Sequence, residues 1–568
     1  MKTLVLWANQ LCHTVVTADI RRLSIDHVYI LQDPRFFRYN DMYSGRIRHH
    51  PLKILLHDVT TRIFCEEIVD ATGLSRSSVH LIDYTSCGSP SSVKYKGGES
   101  LKSVPSTKGS EWYMYDAVDI TLNRAANTHC KRHGIALTWF DTPLFIASMD
   151  ELLTIHKDKF ASGNKRLLQT TFYSELRRNH HILMTDDGKW VGNKLTFDVE
   201  NRKPLPRGQE ATIPDFRKSN GERSATERRM IREGIERLRH YFKDHPGIDG
   251  DIDYSHIDFT RAGALKRLAR FCRERLVHFG DYQDAMVASF QDMHTAYSQD
   301  ALVASSQDAL TVSSQDSNTS HVHDNFILYH SGISHLLNIG LLTPMDVVDK
   351  VIEEWSKNRD TIPIASVEGF IRQVIGWREY SRYIYVFWGE KIRAMNAMKA
   401  TRKLTSAWYD GTTGWTPVDM TIRQAFRTGY LHHIQRLMVM GNIMNLMQFH
   451  PHEVYRWFME FAIDSYEWVM VYNVYSMILY ADGGLTTTKP YISSSAYLYK
   501  MSNGRFRRDG IWDEDWTTLF YAYIGKHREV FEKNGRTVQM WNLWNRKTTA
   551  EQREIKRNAS AIIARLSD

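Results

Sequence analysis

The chain has 568 residues, which is too long for one hydrophobic core, so its length predicts several domains. Hydrophobic residues make up 42% of the chain, charged residues 24% and aromatic residues 12%, which excludes a largely disordered or collagen-like protein. The formal net charge of +8 suits a negatively charged partner such as nucleic acid, and equally a mildly basic enzyme. Only 32 Gly and 14 Pro are present, which favours long helices.

Strands and helices alternate near the start of the chain. Short β-branched runs predict the strands Lys2–Trp7, His27–Leu31, Val79–Asp83 and Ile135–Phe140. Amphipathic stretches predict the helices Pro51–Ala71 and Trp112–Arg132. This alternation indicates a parallel sheet of the Rossmann-like α/β class. Ala8-Asn9-Gln10-Leu11 stands where a dinucleotide site needs GxGxxG, so NAD is disfavoured.

The rest of the chain predicts a connecting region and a large helical domain. We expect an α/β domain over 1–140, a connecting region over 141–224 and an all-α domain over 225–568. Gln-Asp recurs every eight residues from Gln283 to Gln315, and the later copies are rich in Ser, Gln, Asp and Thr. A polar surface loop over about 287–325 is the simpler interpretation of this repeat, and a tethering or partner-binding segment is the alternative.

Cysteine and histidine patterns give no metal site. The five cysteines form no CxxC pair and suit a reducing compartment. His129 and His133 are spaced as two ligands on a helix, but no third ligand is recognisable, so a surface pair is the preferred interpretation. The apolar stretch Trp457–Tyr480 is interrupted by acidic residues, and Met1–Ala8 is too short for a signal peptide. We therefore expect a soluble intracellular protein without a membrane span.

Several strings resemble the photolyase and cryptochrome family. They are FGDYQDAM (279–286), LYHSGISHLLNIG (328–340), FIRQVIGWREY (370–380), HHIQRLMVMGN (432–442), EVYRWFMEFAIDSYEWVMVYNVYSM (453–477) and ADGGLTTTKPY (481–491). With FDVENRKPLP (197–206), they are similar to the branch of iron-sulfur bacterial cryptochromes and prokaryotic (6-4) photolyases. The likeness extends over nearly the whole chain outside 287–325.

The resemblance implies an α/β antenna-type domain joined to an all-α domain that binds FAD. The residues that it assigns to FAD are Tyr282, His330, Ser331, Ile333, Ser334, Gln373, Arg378, Arg436, Asp464 and Asn473. Hydroxyls and helix N-terminal amides of the residues from Tyr282 to Ser334 would meet phosphate oxygens, and Arg378 would add positive charge there. Arg436 and Asp464 resemble the ion pair beside the flavin ring, and a cation there favours the reduced anionic flavin.

On the DNA side, the resemblance implies a pocket for a flipped (6-4) photoproduct. His433 resembles the histidine that protonates the lesion, with His432 as its neighbour and Tyr491 and Tyr497 beside them. The substrate contacts would be Trp377, Met477 and Lys489. Stacking on aromatic rings holds an extruded base, and a histidine is suited to give a proton near neutral pH.

Three positions depart from the family pattern. Trp457 and Trp415 resemble members of the electron relay that reduces the flavin, but the tyrosine next to the first is Phe458 here. No cysteine follows Cys272, and Asn503–Arg508 stands where a CxxC is expected, so no iron-sulfur cluster is predicted. Ala8-Asn9-Gln10 replaces the usual Gly-Asp-Gln, which leaves a ribolumazine-type antenna chromophore open.

We therefore expect a photolyase, a lyase that uses light and reduced FAD to repair (6-4) photoproducts in UV-damaged DNA, acting as a monomer. The alternatives are a cryptochrome-like blue-light sensor and a DNA-binding protein of this fold without repair activity. Flavin absorption by the purified protein separates the last alternative from the other two.

Overall fold

The computed structural model describes residues 1–87, 97–161, 168–206, 208–215, 223–246, 248, 252–286 and 326–568. The predicted repeat loop at 287–325 lies outside these ranges. No helix within them is both long enough and apolar enough to cross a membrane.

A five-stranded parallel sheet organises the first part of the chain. Its strands are β1 (Lys2–Trp7), β2 (His27–Leu31), β5 (Val79–Ile82), β6 (Glu111–Tyr115) and β7 (Ala136–Phe140). Their spatial order is β5-β2-β1-β6-β7, with β1 pairing in parallel to both β2 and β6. The helices that accompany the sheet are His13–Leu23, Pro51–Thr72 and Ile120–His133. The predicted α/β class is confirmed.

One predicted helix was wrong in its first part. Residues Trp112 to Tyr115 belong to β6, and the helix begins at Ile120, where the side chain of Asp119 caps the backbone N–H groups of Thr121 and Leu122. The reason is that a strand buried on both faces of a parallel sheet has no alternating pattern to separate it from a following helix.

A short antiparallel hairpin, which the sequence pattern did not predict, lies between the sheet and the helical part. It consists of β3 (Arg38–Asp41) and β4 (Gly45–Arg48). Asp41 accepts two hydrogen bonds of 2.6 Å from Arg393, and the Arg48 backbone N–H donates to Glu460. The hairpin therefore joins the sheet to the helices that carry the candidate site.

The described chain after β7 is mainly helical. The helical C-terminal region was predicted, whereas the helices Met149–Ala161 and Gln169–Asn179 lie within the predicted connecting region. The helices after β7 are Met149–Ala161, Gln169–Asn179, Ala225–Tyr241, Arg261–Glu274, Leu276–Tyr282, Ser334–Ile339, Pro344–Lys357, Ile364–Ile371, Glu379–Arg393, Ala407–Asp410, Thr416–Thr428, Asn442–Leu446, Pro451–Phe461, Glu467–Met470, Ser495–Met501, Trp512–Lys526, Arg528–Glu532, Val538–Asn545 and Thr549–Leu566. Two of them approach closely through Gly280 and Gly369, and Asn201 from the connecting region donates to the Ala365 carbonyl between them.

Candidate functional site

Three π-helical segments lie in the helical region, at Arg372–Arg378, Gln435–Gly441 and Val471–Ile478. Such segments are rare and are found frequently at functional sites. Most of their residues are buried. The residues that stay partly accessible are Gln373, Trp377, Arg378, Arg436, Leu437, Asn473 and Met477. All of these except Leu437 were predicted site residues.

The second and third π-helical segments pack against each other, and the third also packs against helix Glu379–Arg393. A Cβ atom added to Gly441 would lie 2.8 Å from the carbonyl oxygen of Arg436 and 2.8 Å from Cγ2 of Ile478, so only glycine fits at this crossing. The rings of Tyr380 and Tyr472 meet edge to face with their centroids 5.2 Å apart. The backbones that carry the accessible residues are thus held by close packing.

A bidentate ion pair joins two of the predicted flavin residues. Arg436 donates to Oδ1 and Oδ2 of Asp464 at 2.9 and 3.1 Å, and the Ser334 hydroxyl donates to the same carboxylate at 2.6 Å. Burial opposes ionisation of Asp464, but Arg436 and these hydrogen bonds keep the pKa of Asp464 below its ordinary value. Asp464 is therefore a carboxylate at neutral pH.

Arg378 lies at the border between the helical region and the connecting region. Its Nε donates to Oδ1 of Asn338 at 3.3 Å, and Asn338 in turn donates to the Asp464 carbonyl at 3.0 Å. The Arg378 guanidinium stacks over the ring of Phe145 at 4.1 Å. Burial lowers the pKa of Arg378 to about 10, so the side chain remains a cation near neutral pH. The structure thus links Arg378 to the Asp464 segment through Asn338.

Three histidines form a cluster beside Asp284. The His330 ring lies 4.8 Å from that of His432 and 5.4 Å from that of His433, measured between centroids. Nε2 of His433 is 3.3 Å from Oδ1 of Asp284, and the His433 side chain is 46% exposed. His330 and His432 are buried, whereas His433 faces an accessible space. Asp284 was not among the predicted site residues, although it lies within the FGDYQDAM string.

His432 has a defined protonation state. Its Nε2 is 3.0 Å from the Met286 carbonyl, which can only accept, so Nε2 carries the hydrogen. Burial and the neighbouring His433 lower the pKa of His432 to about 3, so the ring is neutral and Nδ1 is an acceptor.

Of the two predicted tyrosines, Tyr497 lies within electrostatic range of Asp284 in this cluster, whereas Tyr491 lies within range of Arg536, Asp198 and Arg202. Burial raises the pKa of Tyr497 to about 12, and Asp284 adds to that shift. Burial also raises the pKa of Tyr491, whose ring lies 5.8 Å from Nζ of Lys489. Both phenols therefore keep their protons at neutral pH and are available as donors.

Tyr282 takes a place near the connecting region. Its hydroxyl donates to Oε1 of Gln209 at 2.9 Å, and its ring stacks on Tyr329 with the centroids 5.5 Å apart. Ile333 is buried at the start of helix Ser334–Ile339, and Ser331 stays partly accessible just before it. Ser331 and Ile333 therefore lie just before Ser334, which donates to Asp464 of the Arg436–Asp464 ion pair.

A row of buried aromatic side chains leads away from Arg436. The Arg436 guanidinium lies 5.6 Å from the Phe461 ring, which is 4.7 Å from Trp457. Trp457 Nε1 donates to the Trp408 carbonyl at 2.8 Å, and the Trp408 and Trp415 rings are 6.2 Å apart. Trp408, which the sequence pattern did not single out, thus stands between the two predicted relay residues.

This row ends close to the surface. Nε1 of Trp415 donates to Asp515 at 3.0 Å, and Asp515 pairs with Arg565 at 2.7 Å. Arg565 is 54% exposed, so the indole of Trp415 is two side chains from solvent.

The donor set fits FAD. Both ring nitrogens of His330, Nδ1 of His432 and Oε1 of Gln283 are buried without a hydrogen-bond partner among the described residues. The Asn473 amide is partly accessible and likewise makes no side-chain hydrogen bond there. Together with the cation of Arg436 and the hydroxyls of the Ser331–Ser334 segment, these atoms offer the mixture of donors, acceptors and positive charge that a flavin dinucleotide requires.

The segment where the family's cluster cysteines are expected is held by hydrogen bonds. Asn503 Nδ2 and Arg505 donate to the Leu205 carbonyl at 3.1 and 3.0 Å, and Arg505 also donates to Pro206 at 3.2 Å. No group of three His, Cys, Asp or Glu side chains within the described ranges is arranged to bind a metal ion.

Two family models match the chain. The model described as "Deoxyribodipyrimidine photo-lyase-related protein" matches residues 8–254, and "FAD binding domain of DNA photolyase" matches residues 370–493. The second match contains all three π-helical segments, the ion pair and His433. The chain thus carries a photolyase-type FAD-binding domain.

Known proteins resemble the chain over almost its full length. A (6-4) photolyase of Agrobacterium fabrum is 28% identical over 530 residues, which cover 92% of each chain. The crystal structures of a Synechocystis sp. PCC6803 cryptochrome and of a bacterial class III photolyase from Agrobacterium tumefaciens each give a TM-score of 0.50. The first is 13% identical and covers 99% of this chain and 98% of its own, and the second is 12% identical and covers 99% and 97%.

These structural neighbours show the fold, a parallel-sheet domain followed by a helical domain. The family models add the FAD-binding region, and the long alignment joins both parts. The chain belongs to the photolyase/cryptochrome family.

Proposed function

We propose that the protein is a light-driven DNA photolyase that repairs (6-4) pyrimidine photoproducts. The observation that supports this proposal best is His433, a half-exposed histidine held by Asp284, which also acts on Tyr497, a phenol that retains its proton. The 28% identity to a (6-4) photolyase is in line with this specificity. FAD, when bound, supplies the light-excited electron donor.

The residues proposed to hold the flavin fall into two groups. Arg436, fixed by Asp464, places a cation where negative charge on the ring system needs compensation. Ser331, Ser334 and His330 offer hydroxyl and imidazole groups for the phosphate and ribityl part. Gln373 and Asn473 project partly accessible amides from two π-helical segments. Arg378 supports the site indirectly, because its contact with the Asp464 segment runs through Asn338.

His433 is the proposed proton donor to the lesion. His432 is unsuited to that role because its Nε2–H is already donated to the Met286 carbonyl and its Nδ1 carries no proton. The Asp284 carboxylate can accept from Nε2 of His433 and so orient the ring. A flipped base needs a flat surface on which to stack. We propose that Trp377 and Met477 provide this surface. Its rim would be formed by Tyr491, Tyr497 and Lys489.

Trp457, Trp408 and Trp415 are proposed to conduct electrons toward the flavin site. They form an unbroken series of contacts from Phe461 to Asp515, near the surface. Phe458, next to Trp457, has no phenolic proton to lose, so the proposed series relies on tryptophans. Replacing Trp408 with Phe is expected to slow photoreduction of FAD as strongly as replacing Trp457, with flavin content unchanged.

A second chromophore in the sheet domain remains a proposal. Asn9 and Gln32, at the carboxyl ends of β1 and β2, each leave a buried side-chain oxygen without a hydrogen-bond partner among the described residues. These acceptors suit a small heteroaromatic ring with N–H donors, such as a ribolumazine. Mass spectrometry of the chromophores released from the protein tests for this second chromophore.

Light-dependent repair of a defined oligonucleotide tests the main proposal. Protein loaded with FAD and reduced is illuminated with a duplex carrying one (6-4) photoproduct, and a duplex with one cyclobutane dimer serves as the matched substrate. We expect restoration of the (6-4) site only. Flavin photoreduction without repair of either duplex would favour a light sensor, and failure to bind flavin would favour a DNA-binding protein without repair activity.

A further inference from the structure

A second row of aromatic rings runs from the third π-helical segment to the surface, and it shares no ring with the tryptophan series. Tyr472, which precedes the predicted flavin residue Asn473, meets Tyr380 edge to face with the ring centroids 5.2 Å apart. The ring of Tyr380 lies 6.2 Å from that of Tyr383, which lies 5.5 Å from that of Trp388. The three tyrosines are at most 1% exposed, whereas Trp388 is partly exposed. The row therefore connects the region of the candidate flavin site with the surface.

The hydroxyl of Tyr383 meets a base. It lies 3.0 Å from Nδ1 of His156, on helix Met149–Ala161, and has no other hydrogen-bond partner among the described residues. A buried hydroxyl with this one acceptor donates to it, which leaves the ring hydrogen of His156 on Nε2. The phenolic proton of Tyr383 therefore points at a nitrogen that can take it.

Burial sets the protonation state of both partners. It raises the pKa of the Tyr383 phenol and lowers the pKa of His156, so both side chains are neutral at neutral pH. The His156 ring is also held in place, because it stacks on Phe387 with the centroids 4.0 Å apart and an interplanar angle of 8°. Nδ1 is thus a neutral acceptor fixed within reach of the phenol.

This geometry suits the loss of an electron together with a proton. A buried phenol resists becoming a cation, because burial penalises charge, so its proton must leave when an electron is removed. Proton transfer needs an acceptor within about 2.6 to 3.2 Å, and Nδ1 of His156 meets that condition. One electron leaves the Tyr383 ring and the O–H proton moves to Nδ1, which gives a neutral tyrosyl radical and an imidazolium.

We propose that Tyr383 and His156 form a redox-active pair that supplies electrons to the flavin site by a second route. The pair rests on the proposed function for its electron acceptor, the light-excited oxidised flavin, which the electron reaches through Tyr380 and Tyr472. A thiol in solution returns one electron through the partly exposed Trp388 and is itself oxidised, with its proton released to water. The proton on His156 then returns to the phenolic oxygen.

Electron paramagnetic resonance of the illuminated protein tests the pair. FAD-loaded, oxidised protein is illuminated without thiol and frozen, and ring-deuterated tyrosine identifies a tyrosyl signal by its altered hyperfine structure. We expect this signal in the wild type and its loss in Tyr383→Phe. Tyr523→Phe is the matched control and should leave the signal unchanged, because Tyr523 is equally buried but donates at 2.8 Å to Asn445, an amide that does not take a proton. Flavin absorption after gel filtration checks folding.

Two substitutions of His156 separate the proton step from packing. His156→Phe keeps a flat ring against Phe387 but accepts no proton, and His156→Gln keeps a hydrogen-bond acceptor that is not a base. Both should lower the yield of the tyrosyl radical by about 10²-fold or more, with flavin content unchanged. A full yield in either His156 variant, or an unchanged signal in Tyr383→Phe, would overturn the proposal.

Oxidation from outside separates this proposal from the proposed function. A ruthenium polypyridyl photo-oxidant with persulfate removes electrons at the protein surface without using the flavin, and it should give the same Tyr383 signal. A signal with this oxidant but none from light absorbed by the flavin would mean that the pair does not serve the flavin site, and would overturn the second route. A Tyr383 signal driven by the flavin in a protein that repairs no lesion would support the pair and refute the repair function.

Discussion

The crevice at the end of the sheet and the helical site differ in how far the protein's own side chains fill them. In open α/β sheets, ligands bind outside the carboxyl ends of the strands where the strand order reverses, which here is the gap between β1 and β6. That gap is filled by the protein itself, because Gln10 Nε2 donates to the carbonyls of Tyr115 and Asp116 at 3.1 Å. The Leu11 N–H donates to Ile339 of the helical region at 3.0 Å.

The helical site is not filled in this way, although the sheet domain also leaves the side-chain oxygens of Asn9 and Gln32 without a partner among the described residues. The buried nitrogens of His330 have no partner among the described residues, whereas His57 in the sheet domain has both nitrogens bonded, to the Ala8 carbonyl and to the Tyr466 hydroxyl. Buried polar groups without hydrogen-bond partners destabilise the folded protein unless a ligand forms hydrogen bonds with them. We infer that the gap between β1 and β6 serves mainly as a docking surface for the helices, and that a second chromophore would use the oxygens of Asn9 and Gln32 beside it. The proposed repair chemistry lies in the helices.

The largest expected effect is loss of repair in His433→Ala. In the proposed mechanism, the histidine is needed only when the lesion takes a proton, a step that contributes about 10² to 10⁴ in rate. FAD content and affinity for damaged DNA should stay near those of the wild type, because phosphate contacts dominate affinity. Single-turnover repair under saturating light measures the rate, and a fluorescence binding assay at fixed salt is the control. Full repair by the variant would remove His433 from the mechanism.

The sequence predicts most residues of the candidate site but not the neighbours that the structure gives them. The strings around His433 and Asp464 are long and specific, and the strands β1, β2, β5 and β7 follow from short β-branched runs. The pairing of His433 with Asp284 joins positions 149 residues apart, and only tertiary packing brings them together. Trp408 was missed for a similar reason, because a buried tryptophan beside another tryptophan has no local pattern. The hairpin β3–β4 was missed since its charged residues find partners in distant helices.

Arg436→Leu should disturb the helical site next most strongly. Removing one partner of a buried pair typically costs about 3 to 5 kcal/mol, because Asp464 is left without compensation. We expect a lower flavin reduction potential and weaker binding of reduced flavin than of oxidised flavin, measured by redox titration. Arg436→Lys retains a cation and is the matched control. An unchanged potential in the Leu variant would contradict the assignment of this pair to the flavin ring.

The same pair predicts a pH dependence. The pKa of Asp464 is lower in the folded protein than its ordinary value of 3.8, so the pair contributes stability above that value and loses it as the pH falls through the folded-state pKa. The stability gap between wild type and Arg436→Leu should therefore narrow in acid. Chemical denaturation at a series of pH values measures the gap, and a gap that widens in acid would show that another group dominates.

Two glycines test the comparison between the regions directly. Gly441→Ala forces a Cβ atom against the Arg436 carbonyl and Ile478, and Gly340→Ala forces one within 2.8 Å of the Leu11 nitrogen at the docking surface. Overpacking of this kind costs about 1 to 3 kcal/mol in either place. Gly340 also has a φ of +90°, which strains any other residue, so we expect Gly340→Ala to lose at least as much stability as Gly441→Ala, but only Gly441→Ala to lose flavin. Equal loss of flavin from both, measured by absorbance after gel filtration, would mean that docking of the sheet controls the site.

The smallest expected effect comes from a buried lysine of the sheet domain. Lys53 is 1% exposed; its Nζ donates to the Ser465 carbonyl and lies 4.5 Å from the Tyr466 ring centroid. Burial holds the pKa of Lys53 well below its ordinary value of 10.5, with Asp464 opposing and Arg35 adding to the shift.

A lysine whose pKa is lowered on folding destabilises the folded state. This destabilisation is complete below the folded-state pKa and absent above the unfolded-state pKa. Lys53→Met should therefore raise stability at neutral pH by about 1 to 2 kcal/mol after the lost hydrogen bond is counted, which is about 1 to 2 °C in midpoint for a chain of 568 residues. The gain in stability should fade as the pH approaches about 10.5.

Thermal unfolding across this pH range measures the gain in stability, with Lys53→Gln as the control that keeps a hydrogen-bond donor. A variant that is destabilised equally at every pH would mean that Lys53 is needed as a donor at the docking surface, and that its charge is not the source of strain.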